Sequence, residues 1–212
     1  MENEKFILTV NREAYSGGKD IAKRIGQLLG VKVYDKEILS GIREQYNLSD
    51  EQIEQIKAKK INWWTEFCQF YRQFDAVARS SRETSEVNSL QLYHEEAKIL
   101  KGLADQESCV IVGRAGFHIF KDYPNAIRIF IIADPEVRKR RIMQKLNLDE
   151  KEAVKKLAEI DTARENYTKT FANVSRYDAR NYDFTINVSN YTTEQVAQFI
   201  THNVRLKYPE SK

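Results

Sequence analysis

Short unbroken apolar runs alternate along this chain with stretches whose apolar residues recur every three or four positions. Phe6-Ile-Leu-Thr-Val10 is of the first kind and predicts a buried strand. Lys19 to Leu29 is of the second, with Ile21, Ile25, Leu28 and Leu29 at helical spacing and Gly30 to stop it. Val31 to Tyr34 predicts a second short strand, and Asp35 is placed to cap a helix reaching about Glu44. Strands are also expected at Cys109 to Val112, Ile127 to Ile132 and Phe184 to Val188. Pro135 fits the first position of a helix that continues from Arg138 to Leu146. Asp149-Glu-Lys-Glu152 caps the next one, and Thr192-Thr-Glu-Gln195 opens a last helix with Val196, Phe199, Ile200 and Val204 on one side.

The middle of the chain differs. Ser49-Asp-Glu-Gln52 opens a polar helix, and an aromatic cluster follows at Trp63, Trp64, Phe67, Phe70, Tyr71 and Phe74. We read residues 47 to 84 as a helical insertion rather than part of a sheet, with a further helix over 86 to 103. The aromatics suit a mini-core, a stacking site or a partner surface such as a homodimer interface.

Strands that alternate with helices imply a largely parallel sheet covered on both faces. Ligands of such sheets sit beyond the carboxyl ends of the strands. The loops after Val10, Tyr34, Val112 and Ile132 should therefore line one cleft.

Composition narrows the classes. A chain of 212 residues, 42% hydrophobic and 31% charged, builds a sizeable core. Its 34 basic and 31 acidic side chains leave a net charge of +3, which argues against a dedicated nucleic-acid binder but leaves room for a local anion site. Cys68, Cys109 and three scattered histidines form no zinc spacing. The N-terminal apolar run is too short for a membrane span. A cytoplasmic protein with no membrane or nucleic-acid partner is expected.

The chemistry gathers in the loops. Asn11-Arg-Glu-Ala-Tyr-Ser-Gly-Gly-Lys-Asp20 joins the first strand to the first helix. Gly17 and Gly18 let backbone N–H groups turn toward an anion at the helix N-terminus, with Lys19 and Arg12 as cations. The full P-loop pattern would place glycine at Glu13 and a hydroxyl at Asp20, so the loop alone is equally a phosphate nest or a helix-packing turn. Gly113-Arg114 ends a strand where a guanidinium would enter the cleft. Arg138 to Arg141 form a basic helix segment, and Asp161 and Arg164 stand three apart. Asp35 is equally a helix cap or a substrate ligand.

In order, these pieces resemble the cytidylate kinase-like family. Its first loop runs roughly S-R-E-x-G-S-G-G-R-E-I-A, followed by Y-D-K-E; here stand Asn11 to Ala22 and Tyr34-Asp-Lys-Glu37. Val110-Ile-Val-Gly-Arg-Ala-Gly116, Ile129 to Arg141, Asp161-Thr-Ala-Arg164 and Ile186-Asn-Val-Ser189 continue the likeness. The resemblance implies one nucleoside-monophosphate-kinase domain over 1–212: a three-layer P-loop fold with a five-stranded parallel sheet, an acceptor-binding insertion at about 47–84 and a lid at about 138–166. It implies ATP-dependent phosphoryl transfer, with Mg²⁺, to CMP, dCMP or a similar small phosphorylated acceptor. Arg12, Ser16, Gly17, Gly18, Lys19 and Asp20 would hold the donor, with Asp20 also an oxygen ligand for Mg²⁺. Asp35, Arg43, Gly113, Arg114 and Asp161 would serve the acceptor. Lys19, Arg138, Arg141 and Arg164 would neutralise the transferring group. Tyr15 stands where the family has a loop glycine. The second reading is a non-catalytic nucleotide- or anion-binding protein with a degenerate P-loop.

Overall fold

The computed structural model describes residues 5–35, 93, 97 and 100–209. The chain divides into two compact units, one of Met1–Tyr34 with Glu107–Lys212 and the other of Asp35–Gln106. Arg43, Cys68, the capping box at 49–52 and the aromatic cluster lie outside the described residues. In the second unit, 93, 97 and 100–106 are helical, so the helix expected over 86–103 extends to 106.

The first unit is built on β1 (Ile7–Arg12), β2 (Lys32–Tyr34), β3 (Cys109–Val112), β4 (Ala126–Ile132) and β5 (Phe184–Asn187). They form one five-stranded sheet in the order β2-β3-β1-β4-β5, and every pairing is parallel. Ile7 pairs with Cys109 on one side and Ala126 on the other, so the three central strands start level, and β1 and β4 run on beyond the end of β3 at Val112. β1, β3 and β4 are nearly all apolar because both faces of a covered parallel sheet are buried.

Helix α1 (Gly18–Leu29) follows β1, the short α2 (Gly116–Ile119) follows β3, and α3 (Pro135–Leu146) follows β4. Then come α4 (Glu150–Ala172) and α5 (Thr193–Lys207). Leu8, Val10, Val110, Val112, Ile129 and Ile131 meet Ile21 and Ile25 of α1 and Val196, Ile200 and Val204 of α5 in one core. Each such fully buried aliphatic side chain stabilises by roughly 1.5–3 kcal/mol. The alternate residues face the other way, where Phe117 of α2, Phe130 and Tyr182 form a second cluster. The helix caps follow the sequence: Pro135 opens α3, and Asp149 with Glu152 and Thr192 with Gln195 make reciprocal capping boxes. Phe199 departs from its expected place on the buried side of α5. It is half exposed and meets Phe184 edge-on at the rim of the sheet. No helix among the described residues is long and apolar enough to cross a membrane.

Candidate functional site

The loop from β1 to α1 starts as a continuation of the strand, with Glu13 N–H donating to the Ile131 carbonyl at 3.0 Å. It then turns through Tyr15, at φ +59°, and Gly17, at φ +89°. Gly17 precedes α1, and its carbonyl accepts from both Asp20 N–H and Ile21 N–H at 3.1 Å. A left-handed residue with no Cβ is what this position needs. No side chain caps α1, so its N-terminus has the form an anion can occupy. Tyr15 takes a left-handed backbone conformation that favours glycine, at about 1–2 kcal/mol. Its ring packs with Met143, Leu148 and Ile160 on the cluster of Ala14, Ile142, Ala153 and Leu157, which offsets that strain.

The carbonyl edge of the loop is held by α3. Arg138 Nε donates to the Ala14 carbonyl at 2.8 Å. Arg141 Nη1 donates to the carbonyls of Ser16 at 2.8 Å and Tyr15 at 3.3 Å. Three successive carbonyls are thereby tied toward α3 and the loop is set as a rigid piece. Arg138 is itself clamped, with Nη1 3.2 Å from Glu13 Oε1 and Nη2 paired with Asp161 Oδ2. Asp161 Oδ1 accepts from Ala14 N–H at 2.9 Å, and Glu13 Oε2 accepts from Ala133 N–H at 3.2 Å. Arg138, Arg141 and Asp161, all expected at the lid or the substrate, are thus engaged with the loop in this structure. Glu13 completes that assembly. In the sequence it registered only as the place where a P-loop glycine is missing.

The loop after β3 is tighter than its sequence suggested. Gly113, Arg114 and Ala115 are all left-handed, at φ +76°, +55° and +51°. Two non-glycine residues in that region store strain, a condition concentrated at functional sites. A Cβ on Gly113 would lie 2.1 Å from Arg12 Nη1, so the Arg12 guanidinium reaches from the end of β1 across to this turn. Arg114 lies over the Tyr167 ring, 5.3 Å from its centroid. Arg164 Nη1 donates to the Arg12 carbonyl at 3.2 Å. Burial, and then the neighbouring Arg176 charge, lower its pKa, while Asp161 works the other way. Arg12, Arg114 and Arg164 therefore gather at the carboxyl ends of β1 and β3. Ser16 is buried, with its hydroxyl on the Glu13 carbonyl at 3.1 Å. Asp35 follows β2 directly and is buried, and it belongs to the second unit.

Among the described residues no three His, Cys, Asp or Glu side chains converge as a metal cage. Mg²⁺ in phosphoryl-transfer sites takes one or two carboxylates and completes its shell with water and phosphate oxygens. Asp20, exposed in the first turn of α1, offers one such carboxylate, so the donor set fits that role.

A parallel sheet of this strand order, with a glycine loop running from its central strand β1 into a helix, is the fold of the P-loop kinases of nucleotides and small molecules. The chain belongs to the cytidylate kinase-like family, which it matches over residues 7–190. Among solved structures it is similar to an uncharacterised protein of Eubacterium ventriosum, with 24% identity, TM-score 0.62, and 94% of this chain and 98% of that one covered. It is also similar to an unliganded sugar kinase of Janibacter sp., with 14% identity, TM-score 0.50, and 97% and 96% covered. These likenesses concern the fold. No curated protein matches the sequence.

Proposed function

We propose that the chain transfers the γ-phosphoryl group of ATP to the phosphate of a nucleoside monophosphate, CMP or dCMP by the family resemblance. The observation that carries this reading is the cation arrangement around an uncapped helix N-terminus. Arg138 and Arg141 hold the loop's carbonyls, and Arg12, Arg114 and Arg164 gather beside it. In the proposed reaction an oxygen of the acceptor phosphate forms a bond to the γ-phosphorus. The bond from that phosphorus to the β–γ bridging oxygen breaks, and ADP leaves. The acceptor is already an anion, so what is needed is positioning and charge neutralisation. Lys19 and the first N–H groups of α1 would hold the donor's phosphates. Arg114 would hold the acceptor phosphate together with Arg12, which was expected on the donor but reaches across to the Gly113 turn, and Arg164 would face the charge that develops between donor and acceptor. Mg²⁺, held in part by Asp20, would supply charge neutralisation on the donor.

The test is ADP release from ATP and Mg²⁺ across nucleoside monophosphates, nucleosides and small alcohols. Turnover with a pyrimidine monophosphate is expected. ATP binding with no turnover on any acceptor would overturn the kinase reading and leave a nucleotide-binding protein. Turnover on a hydroxyl would instead demand a carboxylate base, and Asp35→Asn would then abolish it. Lys19→Ala should weaken ATP binding by at least tenfold, from about 1.5–3 kcal/mol for a charged hydrogen bond.

A further inference from the structure

Arg176, in the segment between α4 and β5, is 1% exposed. Its guanidinium lies between the rings of Phe130, 5.5 Å away, and Tyr177, 5.4 Å away. Nη2 donates to the Arg12 carbonyl and reaches Asn11 Oδ1 at 3.5 Å. Nε and Nη1 are buried with no hydrogen-bond partner among the described residues. No carboxylate there pairs with it. Glu165, close in sequence, accepts from the Arg176 backbone N–H at 3.0 Å instead. Arg164 donates to the same Arg12 carbonyl and likewise makes no ion pair among the described residues. Asp161, which partly offsets the Arg164 charge, is already shared between Arg138 and Ala14 N–H.

Two guanidinium groups thus converge on one carbonyl oxygen. One is almost wholly desolvated, with two nitrogens that make no hydrogen bond among the described residues. In the unliganded chain this is unfavourable twice over: buried donors go unpaired, and like charges sit together. The packing does not require it, because an apolar side chain would fill the slot between the rings, and Arg164 alone would satisfy the Arg12 carbonyl. An arrangement that costs the empty protein and ends on the Arg12 carbonyl, where β1 passes into the loop, is accounted for by an anion that arrives later.

We propose that Arg176 is a positioning residue of the anion site, acting through the Arg12 carbonyl and behind Arg164 to strengthen binding of phosphoryl oxygens at the carboxyl end of β1. This rests on the phosphate-binding reading of the loop. Arg164, the less buried of the two, makes the contact. Arg176 fixes the peptide that Arg164 leans on and adds the second charge.

The test compares wild type, Arg176→Met and Arg176→Lys for binding of inorganic pyrophosphate by calorimetry and for thermal melting without ligand. Met keeps an unbranched chain between the rings and removes the charge. It should bind pyrophosphate roughly tenfold or more weakly, yet melt no more than about 2 °C below wild type. Lys keeps the charge and should stay within about threefold of wild-type affinity. A Met variant that fails to fold or melts far below wild type would make Arg176 a structural clasp and overturn the proposal. So would unchanged pyrophosphate affinity in that variant. If the wild-type chain itself binds no pyrophosphate, the phosphate reading of the loop falls, and this inference with it.

Discussion

Replacing Asp161 by Asn tests whether the assembly behind the phosphate loop carries the weight its geometry assigns. Asp161 Oδ1 accepts the Ala14 N–H at 2.9 Å, and Oδ2 pairs with Arg138. The Arg138 and Asp161 side chains are 10% and 13% exposed, so solvent screens this pair little. An amide keeps one acceptor and gains a donor. It therefore satisfies either Ala14 or Arg138 and turns N–H toward the other. Removing one partner of a buried pair costs about 3–5 kcal/mol. Arg138 keeps Glu13 at 3.2 Å, however, and is not left alone. The loss of one charge-assisted bond, about 2–3 kcal/mol, is the better figure. For a chain of this size that lowers the melting temperature by about 4–12 °C. Thermal melting by circular dichroism reads it, and urea unfolding should show a lower midpoint with an unchanged slope. A D161N protein melting within about 2 °C of wild type would refute the argument.

Three further outcomes follow from other parts of the first unit. Gly113→Ala forces a Cβ to within 2.1 Å of Arg12 Nη1 at φ +76°, so the flexible guanidinium moves. The melting temperature should fall by about 2–8 °C for the backbone strain, while the acceptor KM rises severalfold in initial-rate assays. Burial pushes the Cys109 thiol up to about 12, with Glu107 adding to the effect. A disulfide reagent at pH 8 should therefore leave Cys109 unmodified until the chain is unfolded, as peptide mass analysis would show. Burial raises the Asp183 pKa, but hydrogen bonds from the Arg128 guanidinium and N–H outweigh it and hold the carboxyl below its ordinary value. The folded value is the lower one, so this pair stabilises above the unfolded value of about 3.9 and the contribution is lost as pH falls through the folded value. Asp183→Asn should destabilise at neutral pH, with the difference from wild type shrinking in melting curves as pH falls below the unfolded value of about 3.9.

The sheet was legible because its strands are continuous apolar runs, a pattern that a parallel sheet buried on both faces requires. Cys109 to Val112 was read to the residue, and the caps at Pro135, Asp149 and Thr192 followed from local hydrogen-bond chemistry. β1 runs two residues further than Val10 because Asn11 and Arg12, though polar, still pair with Phe130 and Ile131. Phe199 was misplaced because helical spacing gives a stripe and not its edges, and this residue lies at the rim beside Phe184. The left-handed turn at Gly113–Ala115 left no mark, because only one of its three residues is glycine. Glu13 and Arg176 were missed for a different reason. Their roles depend on partners 120 and more residues away or on the carbonyl of Arg12, which no local spacing encodes.

What separates the basic residues is where their hydrogen bonds end. In the sequence Arg138, Arg141 and Arg164 are alike, cations near a predicted cleft. In the structure Arg138 and Arg141 end on carbonyls of the loop, and Arg138 is neutralised by Glu13 and Asp161. An arginine neutralised by two carboxylates contributes little net charge to an incoming phosphate. What it contributes is the fixed shape of the loop, so its loss should act on stability and affinity together. Arg164 and Arg176 have no such neutralisation among the described residues and end on one shared carbonyl. On the proposed function their charge serves a ligand, and its loss should lower affinity while leaving the empty fold nearly as stable. The two groups of arginines thus make opposite predictions for the melting temperature of the unliganded chain, and that measurement alone separates the residues that build the cradle from those that charge it.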